Sequence, residues 1–425
     1  MTVLVLHHRG SLAASPYDQW LADYDGDVLL LCSRENLELI GEDLPDGHGY
    51  RHAEAIVGYE TTGRLEARVR ELDAEYHISF IVNCQEYDLE RAARLREVLG
   101  LPGQWSESVE PFRNKLAMKD TVRAAGIPVA DYQAVECVTD IVGFAEEHGF
   151  PLVVKPRNGA GSMDVRVVRS RAELGDLIVD DLGLYGELRA NLMVESFVPG
   201  PMFHVDGLVV DGRLAFAWPS RYLFVEADFA VDRAGRLDVA LDRDDPLAGR
   251  LLAFVDRVLA AMPSPRTFAF HAEVFLTPDG SLVLCEVACR VGGAAIREVL
   301  RALFSVDINE WWVRAAVGLS VPVAPGRLPL VPGSAAGQVF FTKRAGAVRA
   351  LPGPPPFPWV VKATVVVRPG QVVSSAAYTS DAVAFFVVIA PDRAAVERRL
   401  RQVETWFLSG LVIEQDEPAE LPVAS

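Results

Sequence analysis

Two glutamates on neighbouring apolar runs are the residues best placed to do chemistry. Glu273 and Glu286 lie in the segment 271–290, which reads as two strands around the turn-forming pair Asp279-Gly280. A two-residue turn would place the two carboxylates directly opposite each other, with Cβ atoms about 5 Å apart. Opposed like charges are unfavourable unless a cation lies between them, and carboxylate oxygens suit Mg²⁺. The sequence therefore predicts a magnesium site, with Mn²⁺ as an alternative ion.

The side chains of this hairpin divide into an apolar face and a polar face. Alternation along the strands predicts an apolar back made of Ala272, Val274, Leu276, Val283, Cys285 and Val287, and a front made of His271, Glu273, Phe275, Leu284, Glu286 and Ala288. Polar groups converging over an apolar floor are typical of a ligand-binding cleft. On the front, the predicted pair Phe275 and Leu284 would support a flat base. The alternative is a front face that is simply solvated.

A zinc site is a second interpretation of the same segment. His271, Glu273, Cys285 and Cys289 offer nitrogen, oxygen and sulfur ligands. The predicted alternation puts Cys285 on the face opposite His271, and Cys-x-x-x-Cys is not a usual structural spacing. We therefore favour magnesium at the two glutamates.

Two lysines are placed where they could bind phosphate groups. Lys155 ends the apolar run 151–156 and precedes a loop of small residues, namely Gly159, Ala160, Gly161 and Ser162. The backbone N–H groups of such a loop can approach phosphate oxygens closely. Lys115 stands at the start of a predicted helix, where backbone donors also favour anions. Taken singly, an ordinary flexible loop and a solvent-exposed lysine explain these features equally simply.

A third acidic residue, Glu195, lies inside the strand-like run 192–198. A strand with a free edge can bind an adenine edge while the carboxylate accepts from the exocyclic amine. The simpler alternative is an edge strand with one outward charge.

Arginines and glycines after the hairpin suggest an anion site. Arg290 precedes Gly292 and Gly293, which lead into a predicted helix start, and both features suit a carboxylate or phosphate. The alternative is an arginine that pairs with a surface acid. Arg221 and Arg297 are further candidates for binding an anionic substrate group.

The elements that must position these residues fall into three parts. Apolar runs alternate with helical patterns in residues 1–110, which predicts a small parallel α/β sheet, and the lack of a glycine-rich fingerprint argues against a redox cofactor. Mixed strands and helices follow in residues 111–322. A proline-rich stretch then leads into a strand-rich end with one long helix, covering residues 323–425. We expect one domain in each part.

Composition narrows the kinds of partner. The chain has 425 residues, half of them hydrophobic, and a formal net charge of -17. An acidic balance argues against nucleic-acid and anionic-membrane partners, while permitting an anionic small molecule in a locally basic cleft. The start of the chain reads as a strand, no apolar run has membrane-spanning length, and the five cysteines form no CxxC pair. These features predict a reduced, cytoplasmic protein.

The order of the motifs is more specific than any one of them. A helix-start lysine, a strand-end lysine with a glycine-rich loop, a strand glutamate, two further glutamates and an arginine follow one another, preceded by the stretch Glu90–Gly103. This order resembles the ATP-grasp superfamily, in particular carboxylate–amine ligases of the L-amino-acid ligase type. The resemblance implies an α/β and α+β architecture, in which an ATP-grasp fold follows an N-terminal α/β (pre-ATP-grasp) domain and precedes a strand-rich C-terminal domain.

The resemblance also implies a role for each motif. The implied ATP ligands are Lys115, Lys155, the loop 159–162, Glu195, the backbone of Phe197 and Val198, and His204 or Asp206 on the ribose side. Glu273 and Glu286 would bind Mg²⁺, and Arg290 would stabilise the transferring phosphoryl group and a later oxyanion. The chain departs from the family pattern at Ala288, where an asparagine is frequent, and near Met202, where an acidic ribose ligand is frequent.

The implied reaction is ATP-dependent amide-bond formation. A small-molecule carboxylic acid would attack the γ-phosphate, and an amine would then attack the resulting acyl phosphate to release ADP and phosphate. Amino acids are the expected substrates, and a homodimer is the assembly that the resemblance suggests. Two alternatives remain open: an ATP-dependent carboxylase related to biotin carboxylase, and an ATP-binding regulator without turnover.

Overall fold

The computed structural model describes residues 1–46, 49–181, 191–224, 234–321 and 329–414, apart from the side chains of residues 180 and 181. Across these residues, every helix is too short or too polar to cross a lipid bilayer.

The N-terminal part is a four-stranded parallel sheet with helices between its strands. The strands are β1 (Thr2–His7), β2 (Asp27–Ser33), β3 (His52–Ile56) and β4 (Ile78–Asn83), and the helices are α1 (Tyr17–Trp20), α2 (Arg34–Ile40), α3 (Arg64–Tyr76) and α4 (Leu89–Leu99). The strand order is β3-β2-β1-β4, and all pairs are parallel. Every residue of β1 is buried, as expected for a central strand covered on both faces. The predicted α/β alternation is confirmed.

Two helices carry the chain from this sheet to the cleft. They are α5 (Ser106–Arg113) and α6 (Lys115–Ala124). The side chain of Asn114 accepts from the backbone N–H of Leu116, which satisfies one of the donors left free at a helix start. This cap fixes Lys115 as the first residue of α6.

A four-stranded antiparallel sheet follows. It contains β5 (Tyr132–Val135), β6 (Leu152–Pro156), β7 (Arg166–Val168) and β8 (Leu192–Ser196), in the order β5-β8-β6-β7, with helices α7 (Val138–His148) and α8 (Arg171–Asp176) and a π-helical turn at Leu177–Asp181. Pairing of β6 with β8 puts Val153 opposite Glu195 and Lys155 opposite Met193. Directly opposed residues and residues two apart share a face of the sheet, so Lys155 and Glu195 lie as diagonal neighbours on the same face.

The largest sheet has eight strands and runs through the middle and the end of the chain. Its order is β13-β12-β9-β10-β11-β14-β18-β16, and three short strands form a separate sheet in the order β17-β15-β19. The elements are β9 (Met202–Val210), β10 (Arg213–Tyr222), β11 (Arg236–Ala240), α9 (Pro246–Ala261), β12 (Phe268–Leu276), β13 (Leu282–Ala288), α10 (Ile296–Phe304), α11 (Ile308–Ala316), β14 (Ala335–Thr342), β15 (Gly346–Ala350), β16 (Val360–Val365), β17 (Val372–Val373), β18 (Ala382–Ala390), α12 (Arg393–Gly410) and β19 (Val412–Glu414). Pairing of β11 with β14 carries this sheet across the domain boundary predicted after residue 322.

The hairpin β12–β13 has the predicted glutamate pair but a different register around it. Glu273 lies opposite Glu286, as predicted. The turn is one residue longer than predicted, because Thr277 N donates to Ser281 O and Gly280 adopts a φ of 83°. A glycine at positive φ commonly closes a three-residue hairpin loop.

A bulge in β13 compensates for the longer turn. The register shifts between Glu273 and Val274, which leaves Cys285 as an extra residue on β13. Leu284 consequently lies opposite Val274 and is fully buried, whereas Phe275 lies opposite Val283. The predicted pairing of Phe275 with Leu284 is therefore wrong, and so is the predicted position of Cys285 on the apolar back, because the bulge turns this residue into the cleft.

Candidate active site

A cleft of about 1020 Å³ lies where the three parts of the chain meet. It is lined by the turn after β4, the end of β6, the loop 159–162, the hairpin β12–β13 and the segment 378–380. Its volume is at the upper end of the range for small-molecule sites. The space accommodates a nucleotide together with a second small ligand.

Lys155 and Glu195 form a buried ion pair at one wall of the cleft. Lys155 Nζ donates to Glu195 Oε1 at 2.5 Å, and Lys119 Nζ lies 3.1 Å from Glu195 Oε2. Burial lowers the pKa of Lys155, but the Glu195 carboxylate outweighs burial, and the pKa stands above its ordinary value. Burial likewise raises the pKa of Glu195, yet Lys119 and Lys155 hold it below its ordinary value. Lys155 and Glu195 are therefore both charged.

Lys115 links the hairpin to the loop of small residues. Its Nζ lies 2.9 Å from Glu286 Oε2 and donates to Gly159 O at 2.6 Å, while its backbone N donates to Arg157 O. Burial raises the pKa of Glu286, but Lys115 and Lys155 outweigh it and lower the pKa to about 2. We call Lys115, Lys119, Lys155, Glu195 and Glu286 the cleft cluster.

The two opposed glutamates fit a divalent cation. Glu273 Oε1 accepts from Tyr222 Oη at 3.2 Å, and Glu286 faces it across the hairpin beside the cleft. Hard carboxylate oxygens on adjacent strands, open to a cleft that also holds lysines, match the ligands of a magnesium ion shared with phosphate groups. The residues therefore fit Mg²⁺.

Arg290 is oriented by an acid that the sequence did not reveal as a partner. Its Nε donates to Glu86 in the turn after β4, and Arg113 Nη1 donates to the other oxygen of the same carboxylate. Burial raises the pKa of Glu86, but Arg290 and Arg113 hold it below its ordinary value. Arg290 lines the cleft with its guanidinium fixed by this pairing.

A network of histidines and aspartates lies behind Glu273. His204 Nδ1 is 2.5 Å from Asp206 Oδ2, and His204 Nε2 is 2.9 Å from Asp238 Oδ1. His271 Nδ1 is 2.9 Å from Asp206 Oδ1, and His271 Nε2 is 3.4 Å from Glu273 Oε1. We call His204, Asp206, Asp238 and His271 the histidine network. The network connects β9, β11 and β12 of the large sheet to Glu273.

His204, Asp206 and His271 are charged although they are buried. Burial lowers the pKa of His271, but Asp206 outweighs burial and raises the pKa to about 9. Burial also lowers the pKa of His204, yet Asp238 and Asp206 hold it well above its ordinary value. The pKa of Asp206 lies below its ordinary range because the two histidines outweigh the opposing effect of burial.

His204, Asp206 and His271 have the spacing of a metal site, but hydrogen bonds explain it. Their ligand atoms lie within 4.8 Å of one another. Direct contacts of 2.5 and 2.9 Å leave no room for an ion between Asp206 and either ring. The zinc alternative at the hairpin also fails, since Cys289 is buried with its Sγ directed at Gln104 Oε1.

Several predicted nucleotide contacts lie elsewhere than expected. His204 is buried with both ring nitrogens engaged, and Asp206 lies in the same buried network, so neither can reach a ribose. The Glu195 carboxylate lies beside two lysines rather than free for an adenine amine. Phe197 N donates to Pro151 O, although Phe197 and Val198 do line the cleft.

The predicted substrate residues differ in how strongly they are engaged. Arg297 lines the cleft, but its guanidinium pairs with Asp307 and also donates to Ala14 O. Gly292 N donates to Asp206 Oδ1, which removes it as an oxyanion donor, whereas Gly293 lines the cleft. Arg221 lines the cleft, and its buried Nε has no hydrogen-bond partner within the described ranges.

Comparison with known proteins follows the same lines. Residues 148–298 match the model of the ATP-grasp domain. This stretch of the chain is similar to ATP-grasp domains. The matched residues include Lys155, Glu195, Glu273, Glu286 and Arg290. The predicted resemblance to the ATP-grasp superfamily is thereby confirmed.

Relatives and solved structures extend the ATP-grasp likeness beyond that domain. The chain is 30% identical over 233 residues to the L-arginine-specific L-amino acid ligase of Bacillus subtilis, which covers 54% of this chain and 55% of the relative. The chain thus spans about half the length of that curated relative. The crystal structure of an L-amino acid ligase from Bacillus licheniformis superposes with a TM-score of 0.75 at 18% identity, covering 98% of this chain and 99% of that one.

A carboxylase structure shares the same ATP-grasp fold. The biotin carboxylase domain dimer of 2-oxoglutarate carboxylase from Hydrogenobacter thermophilus, in complex with MgADP, ADP and bicarbonate, superposes with a TM-score of 0.68 at 17% identity, covering 96% of this chain and 91% of that one. The predicted fold class is confirmed by both structures, and the predicted likeness to L-amino-acid ligases is confirmed by the relative and the first structure.

Proposed function

We propose that this chain is an ATP-dependent ligase that joins a carboxylate to an amine, with amino acids as substrates, and releases ADP and phosphate. The observation that carries the proposal is the opposed pair Glu273 and Glu286 in a cleft that also presents Lys115, Lys155 and Arg290. The L-amino acid ligases among the similar proteins support the choice of substrates.

The cationic residues of the cleft suit phosphoryl transfer. Lys115 and Lys155 bind the phosphates of ATP and neutralise the charge that spreads over the phosphoryl oxygens as the substrate carboxylate attacks. Glu195 acts through these contacts by holding Lys155 and Lys119 in place, which replaces its predicted role at adenine. Glu273 and Glu286 would hold Mg²⁺, which when bound supplies further positive charge at the phosphates.

The acyl phosphate formed in this step must meet an amine before it meets water. The loop 159–162 lines the same cleft. Closed over the bound phosphates, it would exclude solvent. Arg290, fixed by Glu86, stabilises the oxyanion that forms when the amine attacks the carbonyl carbon. Collapse of that tetrahedral state expels phosphate and leaves the amide.

A phosphate-release screen tests the reaction. Purified protein is incubated with Mg²⁺, ATP and pairs of amino acids, and positive mixtures are analysed by mass spectrometry for a new amide. We expect ADP, phosphate and a dipeptide in equal amounts. Formation of AMP and pyrophosphate would overturn the acyl-phosphate scheme, and nucleotide binding without turnover for any pair would favour the regulator alternative.

Carboxylation is the second candidate because the biotin carboxylase domain shares the fold. The same screen with bicarbonate in place of the acid separates the two reactions. ATP hydrolysis that depends on bicarbonate, with no amide formed, would favour the carboxylase. We also propose three domains, at 1–110, 111–322 and 323–425. We further propose a homodimer, which sedimentation measurements would test.

A further inference from the structure

The loop 159–162 is held from two sides by different parts of the chain. On one side Lys115 Nζ donates to Gly159 O at 2.6 Å, and Arg113 Nη2 approaches Asn158 O at 3.4 Å. On the other side Thr379 N donates to Gly161 O at 2.9 Å. The first contacts come from the start of α6 and the end of α5, 44 and 45 residues earlier in the chain than the groups they contact. The last comes from the strand-rich end of the chain, more than two hundred residues away.

The tip of the loop fits closely against this distant segment. Gly161 has a φ of +63°, and a Cβ built on it would lie 3.3 Å from Tyr378 Cβ. A residue larger than glycine would be strained by its backbone conformation and crowded by Tyr378. Glycine at position 161 thus allows the backbone of the loop to approach the backbone of the distant segment closely.

The segment that meets the loop is itself fixed. Asp381 accepts from Ala377 N at 3.1 Å through one carboxylate oxygen and lies 2.7 Å from Lys343 Nζ through the other. Asp381 N donates to Tyr378 O, and Ala376 N donates to Lys343 O. We call residues 376–381 the clamp turn. Its shape does not depend on the loop, since these contacts lie within the C-terminal part.

The clamp turn also forms part of the cleft wall. Thr379 is only 5% exposed, and its Oγ1 has no hydrogen-bond partner among the residues that the structure describes. Tyr378, Thr379 and Ser380 all line the cleft, and Ser380 Oγ would lie 3.4 Å from a Cβ built on Gly293. The turn therefore reaches both the loop and the glycines that follow Arg290.

We propose that the clamp turn holds the loop 159–162 closed over bound nucleotide phosphates, and that Thr379 is a positioning residue of the active site. Its backbone N–H fixes the loop tip, and Asp381 fixes the turn. The catalytic consequence rests on the proposed ligase function, because a loop that opens early exposes the acyl phosphate to water. The predicted effect on nucleotide release does not depend on the ligase function.

The first test measures nucleotide release. Dissociation of a ribose-labelled fluorescent ADP from the full chain with Mg²⁺ is followed by stopped flow for the wild type and for Thr379→Ala, Thr379→Pro and Asp381→Ala. Both Thr379 variants lose the hydroxyl, but only proline also loses the N–H donor. We expect release to be about five-fold faster in Thr379→Pro than in Thr379→Ala, as the loss of one hydrogen bond predicts. Asp381→Ala should also release faster than its control Asp256→Ala, an exposed position on α9.

Equal release rates in each of these pairs would overturn the proposal. Asp381→Ala keeps it testable if Thr379→Pro fails to fold, because Asp381 shapes the turn without touching the loop.

The second test measures coupling, as amide formed per phosphate released. We expect this ratio to fall several-fold in the clamp-turn variants, because hydrolysis competes with the amine when the loop opens. A merely structural role would lower both rates together and leave the ratio unchanged, which would overturn the catalytic part of the proposal. If the wild type forms no amide, the ligase function fails, while faster nucleotide release in the variants still supports the clamp turn.

Discussion

The cleft cluster and the histidine network both contain buried charged side chains, but the partners of these charges differ. In the histidine network, Asp206 bridges two histidines and also accepts from the backbone N–H of Gly292. In the cleft cluster, Lys115 is shared between Glu286 and Gly159 O at the edge of an open cleft. The first arrangement is complete without a ligand. The second places charged side chains where a polyphosphate and a cation could replace their protein partners. We infer that the histidine network supports the fold and that the cleft cluster carries the chemistry.

The largest effect on this contrast is expected from Glu286→Gln in the cleft cluster. This change keeps the size of the side chain but removes the charge that faces Glu273 and Lys115. We expect turnover to fall at least ~100-fold, as is typical when a preorganised charged group is lost from an active site. ADP formation with saturating Mg²⁺ and ATP measures the change, circular dichroism checks the fold, and Glu38→Gln on the exposed face of α2 is the control. A rate within a factor of two of the wild type would remove the metal assignment.

The histidine network should instead respond through stability. In Asp206→Asn, His204 and His271 lose the carboxylate between them while both remain buried. Breaking a buried charge network by removing one partner typically costs at least about 3 kcal/mol of unfolding free energy. Urea denaturation measures the loss, with the exposed Asp256→Asn as control. A loss below about 1 kcal/mol, the value for a surface pair, would show that the network does not carry these charges.

The pH dependence of stability sharpens the same contrast. The pKa of His271 is raised from 6.5 to about 9, so its stabilisation is complete below pH 6.5 and is lost as pH rises through about 9. The amount is on the order of 3 kcal/mol. The difference in unfolding free energy between the wild type and His271→Gln, measured without metal, should therefore shrink across this window. A difference that stays constant with pH would mean that the imidazole is neutral.

The bulge residue Cys285 tests the contrast through its chemical reactivity. Burial raises the pKa of its thiol to about 12, with Lys155 opposing the shift, although the residue lines the cleft. Because only the thiolate reacts, alkylation at neutral pH should be at least ~100-fold slower than at the exposed Cys137. Mass mapping of peptides after iodoacetamide treatment measures both rates. Comparable labelling would show that the cleft charges stabilise the thiolate.

Sequence patterns located the opposed glutamates but not the backbone between them. Asp279-Gly280 and the alternation of apolar residues were enough to pair Glu273 with Glu286. The three-residue turn and the bulge at Cys285 offset each other, so the pair was right although the register beyond it was wrong. A bulge of one residue requires no particular side chain, so no residue type in the sequence indicates its position.

Other site residues were missed because their partners are distant in the chain. Glu86 and Arg290 lie more than two hundred residues apart, and no periodicity connects His204 with Asp238. Lys119 is the exception, since it follows Lys115 by four residues on α6 and so shares its helical face. That spacing was the one available signal for a third cation in the cleft.

The ladder between β11 and β14 has a consequence for how this architecture can be divided. Residues 236–239 pair with residues 337–340, so the strands β14, β18 and β16 belong to the same sheet as the hairpin β12–β13. Deleting these strands would expose the edge of β11, which carries Leu237 and Val239, and would promote aggregation. A chimera with an L-amino acid ligase would have to exchange the whole sheet, because the C-terminal strands are part of that sheet.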